Sequence, residues 1–400
     1  MRPTLTSLQQ LAAKRDPHFS APDGKKTLMV FGVGKLGGPV LDVLASRYSG
    51  HRFIIVSRDR ERSDRRANLT RYVSAQWARF PEVRGERTDL LNVDETAALL
   101  DRYKPDLVLN ATTPFPWWKI SKLPQIESTL CERAGPGMWC ALDTLLPTRV
   151  SEALTQARSA ATFVNACYPD MTNVFLSGHP NAPLVGVGNI SNLVPGLQLA
   201  FAEEVGCTPA EVVIRLVGHH YVSWNAPSSD GCGDAPYHLK VTYPDGELEF
   251  TGPDDAPFAI LRRRASRVRN LEGLGVTIGS TATVLGTLLA GEERTHHCPG
   301  AIGMPGGYPV TISATGSVRL DLPESLTTSA AIELNTAAQL LDGVEHVEAG
   351  RVATTDAGRA AFRVVTGMDL PVVTPANMLE ISQQTISCLN RRYNLGLAAL

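Results

Sequence analysis

The segment Gly32-Val33-Gly34-Lys35-Leu36-Gly37 lies directly behind the apolar run Thr27-Leu28-Met29-Val30-Phe31 and directly ahead of a helical pattern from Pro39 to Tyr48. A Gly-x-Gly-x-x-Gly so placed demands a strand, a tight turn and a helix. The first glycine makes the turn, the second lets backbone approach a pyrophosphate, and the third lets helix pack on strand. The helix N-terminus then offers unpaired N–H groups and positive dipole charge to phosphate. Gly32, Gly34, Lys35, Leu36 and Gly37 are therefore expected to hold a dinucleotide.

The next strand, Arg52-Phe53-Ile54-Ile55-Val56, runs into Ser57-Arg58-Asp59-Arg60-Glu61-Arg62, with Arg65 and Arg66 behind it. A carboxylate at such a strand end binds a ribose 2′-hydroxyl and repels a 2′-phosphate, whereas a guanidinium meets that phosphate in a bidentate pair. Ser57 and Arg58 thus favour NADP(H) as cofactor. The competing reading is a solvated loop before a helix, with Asp59 as a displaced ribose-binding acid.

Strand and helix patterns alternate from residue 26 to 165, with strands at 27–31, 52–56, 106–110 and 161–165 and a weaker one at 138–141. Helices are expected near 38–48, 93–103, 121–134 and 147–157. The fold class is α/β, a Rossmann doubly wound parallel sheet over 26–165, followed by a mixed α+β catalytic domain over 166–345. Residues 1–25 read as an N-terminal extension and 346–400 as a C-terminal one with a helix packing on the rest. The second region opens with the turn-rich stretch 165–173, the strand-like 184–188 and a helix over 194–205. It continues with a strand over 211–217 and a hairpin around Pro244-Asp245-Gly246. A helix near 280–290, strands near 309–313 and 317–322, and helices near 326–341 and 375–394 complete the pattern.

A net charge of −2, from 38 basic and 40 acidic residues, gives no general attraction to nucleic acid or to anionic membrane. The partner expected is a small-molecule substrate, and homo-oligomerisation is left open. No apolar stretch approaches the roughly 18 residues needed to cross a bilayer, and the N-terminal residues lack the apolar core of a secretion signal, so the chain reads as cytoplasmic. Its seven cysteines show no C-x-x-C spacing. Neither a disulfide framework nor a metal site is indicated, and His296-His297-Cys298 reads as a polar loop.

Ligands of doubly wound sheets collect at the carboxyl ends of the strands. That rule selects Asp89 and Leu90 for the adenine, and Asn110, Ala111, Thr112 and Thr113 for the nicotinamide ribose. Helix caps and turns are the equal alternative for both groups. The strand 211–217 delivers Gly218-His219-His220-Tyr221-Val222-Ser223-Trp224, and hydride transfer to a carbonyl or imine needs a proton donor titrating near neutrality. His220 is the expected acid/base, with His219 and Tyr221 orienting it or the substrate; the alternative is that either histidine only bonds backbone in a packed loop. Asn189 and Asn192 are expected to hold substrate if strand 184–188 shares a sheet with the histidines. Tyr308, in the glycine-rich segment 303–309, and Trp117 are further substrate candidates, and Arg215 meets either a substrate carboxylate or a structural acid.

Two resemblances cover different halves. Gly32 to Gly38, Asn110-Ala111-Thr112-Thr113, Cys131-Glu132-Arg133-Ala134-Gly135 and Tyr168-Pro169-Asp170-Met171-Thr172-Asn173 resemble the saccharopine dehydrogenase-like and opine-type reductases, which implies NADP(H) and an imine substrate. It also makes Tyr168 and Asp170 substrate-binding candidates, Asp170 standing where those families have glycine and being either a ligand for a substrate amine or a turn residue. Residues 186–342 are similar to the catalytic domain of lactate and malate dehydrogenases and of NAD-dependent glycosidases, which puts His220 on the proton-transferring histidine. The loop Pro114-Phe115-Pro116-Trp117-Trp118 lacks the arginines of 2-hydroxy-acid dehydrogenases, which counts against a small hydroxy acid. Ser191-Asn192 replaces the metal-binding Cys-His of the glycosidases. The expected activity is an NADP(H)-dependent oxidoreductase acting on an imine or carbonyl of a small polar metabolite. A cofactor-recycling elimination or epimerisation enzyme, and a non-catalytic NADP(H) sensor, are the alternatives.

Overall fold

The computed structural model describes residues 24–268 and 271–400, so the extension expected over 1–25 lies, but for its last two residues, outside the described residues. Six strands, β1 (Thr27–Phe31), β2 (Arg52–Ser57), β3 (Glu82–Arg87), β4 (Leu107–Asn110), β5 (Thr162–Asn165) and β6 (Val185–Gly186), form a parallel sheet in the order β3-β2-β1-β4-β5-β6. β1 is buried along its whole length because helices cover both faces. Leu28 and Val30 point into a core with Leu41, Leu44, Leu285 and Leu288, while Met29 and Phe31 point into one with Leu99, Leu100, Val150 and Leu154. Each such leucine contributes about 2 kcal/mol by leaving water.

β3 was absent from the expected strands because Glu-Val-Arg-Gly-Glu-Arg shows little apolar signal, which suits a sheet edge. β6 pairs with β5, Val185 beside Val164, so the parallel sheet runs past residue 165. The weak strand at 138–141 is instead the 3-10 turn Pro136–Trp139 entering the helix Cys140–Gln156, which begins well before 147 and carries Pro147 inside it. The turn-rich stretch contains a buried helix, Pro169–Phe175, started by Tyr168 in the left-handed region (φ 35°) with proline at its first turn.

The second sheet comprises β7 (Val213–Gly218), β8 (Tyr237–Tyr243), β9 (Gly246–Thr251), β10 (Arg294–Pro299) and β11 (Gly307–Ile312), antiparallel in the order β10-β11-β7-β8-β9, with β12 (Val318–Leu320) on β11. His296-His297-Cys298 therefore lies in a buried strand, not a polar loop. Burial pushes the His297 imidazole down to about 3. It serves as a neutral acceptor for the Leu216 N–H at 3.1 Å. A separate hairpin, β13 (Val344–Glu348) and β14 (Arg351–Thr354), precedes two helices, Asp356–Thr366 and Met378–Tyr393, where one was expected. The stretch Leu271–Ala290 is long and apolar enough to cross a membrane by length and composition, contrary to the sequence reading. Its second half, including Val284, Leu285, Leu288 and Leu289, is buried in the core beside the parallel sheet.

Candidate active site

The glycine turn has the local geometry its spacing demands. Gly32 sits at φ +113°, and a Cβ there would meet the Ala111 carbonyl oxygen at 2.6 Å. At Gly37 a Cβ would fall 2.1 Å from the Gly32 carbonyl oxygen, so only glycine lets the helix Gly37–Arg47 start this close to β1. A Cβ at Gly34 would meet nothing within 4 Å. The turn thus packs tightly at its first and third glycines and stays open at its second, the pattern a pyrophosphate cradle requires.

At the end of β2, Asp59 serves the helix that follows. Its side chain accepts from the Arg62 N–H at 3.1 Å and caps the helix Arg60–Gln76. Ser57 Oγ donates to the Asp59 carbonyl at 2.8 Å and lies 2.8 Å from Ser63 Oγ. Arg58 is exposed and donates to the Ala399 carbonyl at 2.8 Å. Arg66 folds back onto Asp42 and the Gly38 carbonyl.

β7 ends where the histidines begin, and His220 opens the short helix His220–Asn225. Its Nδ1 lies 2.8 Å from Asp342 Oδ2, and its backbone N–H donates to Asp170 Oδ1 at 3.0 Å. The Tyr168 hydroxyl donates to the same Asp342 oxygen at 3.1 Å. His219 is fully buried, and its Nδ1 pairs with that oxygen at 3.0 Å, outside hydrogen-bond geometry. Asn189 donates its side-chain amide to the second oxygen of Asp170.

Burial alone would pull the His220 imidazole down. The Asp342 carboxylate, with Asp170 and Asp143 behind it, more than offsets this and raises it above the ordinary 6.5. Burial would likewise raise Asp342, yet His220 and His219 hold it well below the usual carboxylate range. Each partner thus favours the charged form of the other. Burial pushes Asp143 up to about 7 against the weaker pull of the Cys167 thiol, 3.5 Å from its Oδ1, and of His220. Burial and Asp342 keep the Tyr168 phenol protonated.

A row of rings joins this cluster to the glycine turn. The His220 ring stacks at 6.3 Å on Trp224, Trp224 meets Trp117 edge-on at 5.5 Å, and Trp117 meets Trp118 at 5.9 Å. Lys35 Nζ, from the glycine turn, stands 5.9 Å over the Trp118 ring. A continuous row of ring contacts thus runs from the imidazole of the second region to Lys35 in the glycine turn of the first.

No family model and no curated protein matches this sequence. Solved structures do. Malate dehydrogenase of Cryptosporidium parvum superposes with a TM-score of 0.52 at 13% identity, covering 80% of this chain and 98% of that one. Malate dehydrogenase of Picrophilus torridus, in its apo form, gives 0.51 at 13% identity over 80% and 96%. Lactate dehydrogenase of Eimeria maxima, solved with NADH and oxamate, gives 0.51 at 13% over 80% and 93%. The chain has the fold of these dehydrogenases. Their likeness spans both sheets rather than residues 186–342 alone, while the saccharopine dehydrogenase resemblance of the first half rests on its motifs only.

Within this dehydrogenase fold the remaining expected site residues divide. Tyr168, Asp170 and Asn189 join His220, and Trp117 reaches it only through Trp224. Asn189 arrives by a different route from the one expected, since β6 belongs to the parallel sheet and β7 to the antiparallel one. Asn192 is drawn away, donating to Thr277 Oγ1 at 3.0 Å and accepting from Ser280 at 3.2 Å. Tyr308 is fully buried and donates to the Pro305 carbonyl at 2.6 Å, so it is a core residue and not a substrate ligand. Tyr221 packs against the core of the antiparallel sheet, with no hydrogen bond to either histidine among the described residues. Arg215 meets a structural acid, Asp321, at 3.2 Å.

At the strand ends, Asn110 is buried and donates to Asn165 Oδ1 at 3.0 Å, while its own oxygen accepts from the Thr112 hydroxyl. Thr113 closes a turn with the Phe115 N–H at 3.2 Å, and Ala111 backs Gly32. Asp89 accepts from the Leu91 N–H at 3.1 Å and Leu90 is buried, so the side chains of both shape the β3 turn. Asn92 caps the next helix. Asp342, Asp143 and Cys167 escaped the sequence reading. Asp342 lies 122 residues from His220 at the end of a 3-10 turn, and nothing in its local pattern marks it as the partner of a histidine.

Proposed function

We propose that this chain is an NADP(H)-dependent oxidoreductase that transfers a hydride between the nicotinamide and an imine or carbonyl of a small polar metabolite. The observation that carries the reading is the His220 ring held at Nδ1 by Asp342, 2.8 Å away, and connected through Trp224, Trp117 and Trp118 to Lys35 of the glycine turn. The fold shared with malate and lactate dehydrogenases supports it.

Gly32, Gly34, Lys35, Leu36 and Gly37 would hold the pyrophosphate, and Arg58 at the end of β2 would meet the 2′-phosphate. Backbone of Asp89 and of Asn110 to Thr113 would run beneath the adenine and the nicotinamide ribose. The reduced dinucleotide supplies a hydride when bound. His220 holds the proton at Nε2, because Nδ1 is committed to Asp342, and delivers it to the oxygen or nitrogen that gains negative charge. Asp342 keeps the ring oriented and stabilises its charged form, a positioning role shared by the Tyr168 hydroxyl. Asp170 fixes the His220 backbone and so the start of the helix that carries the ring.

A panel of amines with oxo acids, and of simple carbonyls, assayed through nicotinamide absorbance, tests the reading. Turnover in the native chain and its loss in His220→Ala, with NADPH binding kept, is the expected outcome. Tight NADPH binding with no turnover of any substrate would leave the sensor reading in its place.

A further inference from the structure

We infer that the strap over residues 394–400, which follows the last helix, belongs to the cofactor site and sets its preference for a 2′-phosphate by positioning Arg58. The inference rests on the NADP(H) reading above and adds a segment remote in sequence from the nucleotide turn. Most arginines of the run behind β2 are already spent on acids. Arg60 pairs with Asp64 and Glu86, Arg65 with Glu61, and Arg66 with Asp42. Arg58 differs. Among the described residues it meets no acid, and its Nη1 donates instead to the Ala399 carbonyl at 2.8 Å. A carbonyl orients the guanidinium through one of its five N–H groups and leaves its charge for an anion that arrives later.

The strap is held firmly enough to do this. The helix Met378–Tyr393 stops at Asn394, which lies in the left-handed region at φ 49° and turns the chain. Asn390, still in the helix, clasps Leu397 twice, donating to its carbonyl and accepting from its N–H, each at 2.8 Å. Leu395 and Leu397 are buried in one core with Ile386 and Leu389. Lys119, on the turn that carries Trp117 and Trp118, donates its ammonium to the Leu395 carbonyl. The strap thus runs from the Trp-bearing turn to the end of β2, and at each end a backbone carbonyl holds a cation. An exposed arginine left to itself loses much rotamer freedom when it grips a ligand, and a side chain already held loses less. NADH, with a hydroxyl in place of the 2′-phosphate, gains nothing from that preorganisation.

Titrations with NADPH and with NADH, each followed by its own emission, test this in the native chain and in two variants. Asn390→Ala removes the clasp, and deletion of residues 398–400 removes the Ala399 carbonyl while keeping both buried leucines. Each variant is expected to weaken NADPH about five-fold and to leave NADH within about two-fold. Unaltered or tighter NADPH binding in the deletion variant, or an equal loss for both dinucleotides, overturns the inference. Arg58→Asp separates it from the reading beneath it. Selective loss of NADPH in Arg58→Asp, with none on removal of residues 398–400, ends the role of the strap alone. Equal affinities for NADPH and NADH in the native chain, weakened alike by Arg58→Asp, end the NADP(H) reading and the role of the strap with it.

Discussion

Replacing Asp342 with Asn keeps the volume of the side chain and removes the charge on which His220 depends. The native carboxylate is 3% exposed and meets His220 at 2.8 Å, Tyr168 at 3.1 Å and His219 at 3.0 Å. Breaking such a buried pair leaves an uncompensated imidazolium, a loss of about 3 kcal/mol or more. The desolvation of His220 then goes unopposed, and its pKa should fall from above 6.5 to below it. The signs give a distinct pH signature. A raised imidazole stabilises the fold fully below its unfolded pKa, and that contribution disappears as pH rises through the raised folded value. A depressed carboxylate stabilises above its unfolded value of 3.8 and loses its contribution as pH falls through the folded one. The native chain should therefore exceed Asp342→Asn in stability most strongly between about pH 4 and 6.5, with the gap narrowing on either side. Urea unfolding across that range and NMR titration of the His220 ring measure both effects. An unchanged His220 titration, or a loss well under about 1 kcal/mol at pH 6, would refute the pairing on which the proton-transfer role rests.

Gly34→Ala should fold with unaltered Tm, since its Cβ meets nothing within 4 Å, yet lose NADPH affinity about ten-fold or more. Gly37→Ala, with its Cβ 2.1 Å from a carbonyl oxygen, should instead lower Tm sharply. If Arg58 grips a 2′-phosphate, Arg58→Asp weakens NADPH far more than NADH, and equal weakening in equilibrium titrations removes the case for NADP(H). Asp143, raised from 3.8 to about 7, takes up a proton on folding and so makes stability decline as pH rises between those values. Asp143→Asn should flatten that decline in pH-dependent melts. Tyr308→Phe removes one buried hydrogen bond and should cost about 1 kcal/mol in urea unfolding while leaving substrate KM unchanged.

By itself the sequence determined the parallel β-α half, the tight glycine turn and the strand that runs into His219 and His220. These are written locally, in continuous apolar runs, glycine spacing and a strand that ends in histidines. β3 was illegible because it is a charged edge strand with little apolar signal, whereas the helix Asp356–Thr366 does carry a local signature, Ala361, Phe362 and Val365 at helical spacing behind the Thr355 cap. Only the tertiary structure decided which polar residues gather around the imidazole. Asp342, Asp143 and Tyr168 come from three separate elements, and their effect on His220 depends on burial and on separations of a few ångströms, which no local pattern encodes. The same packing retired Asn192 and Tyr308, whose polar atoms found partners inside the fold before any ligand could claim them.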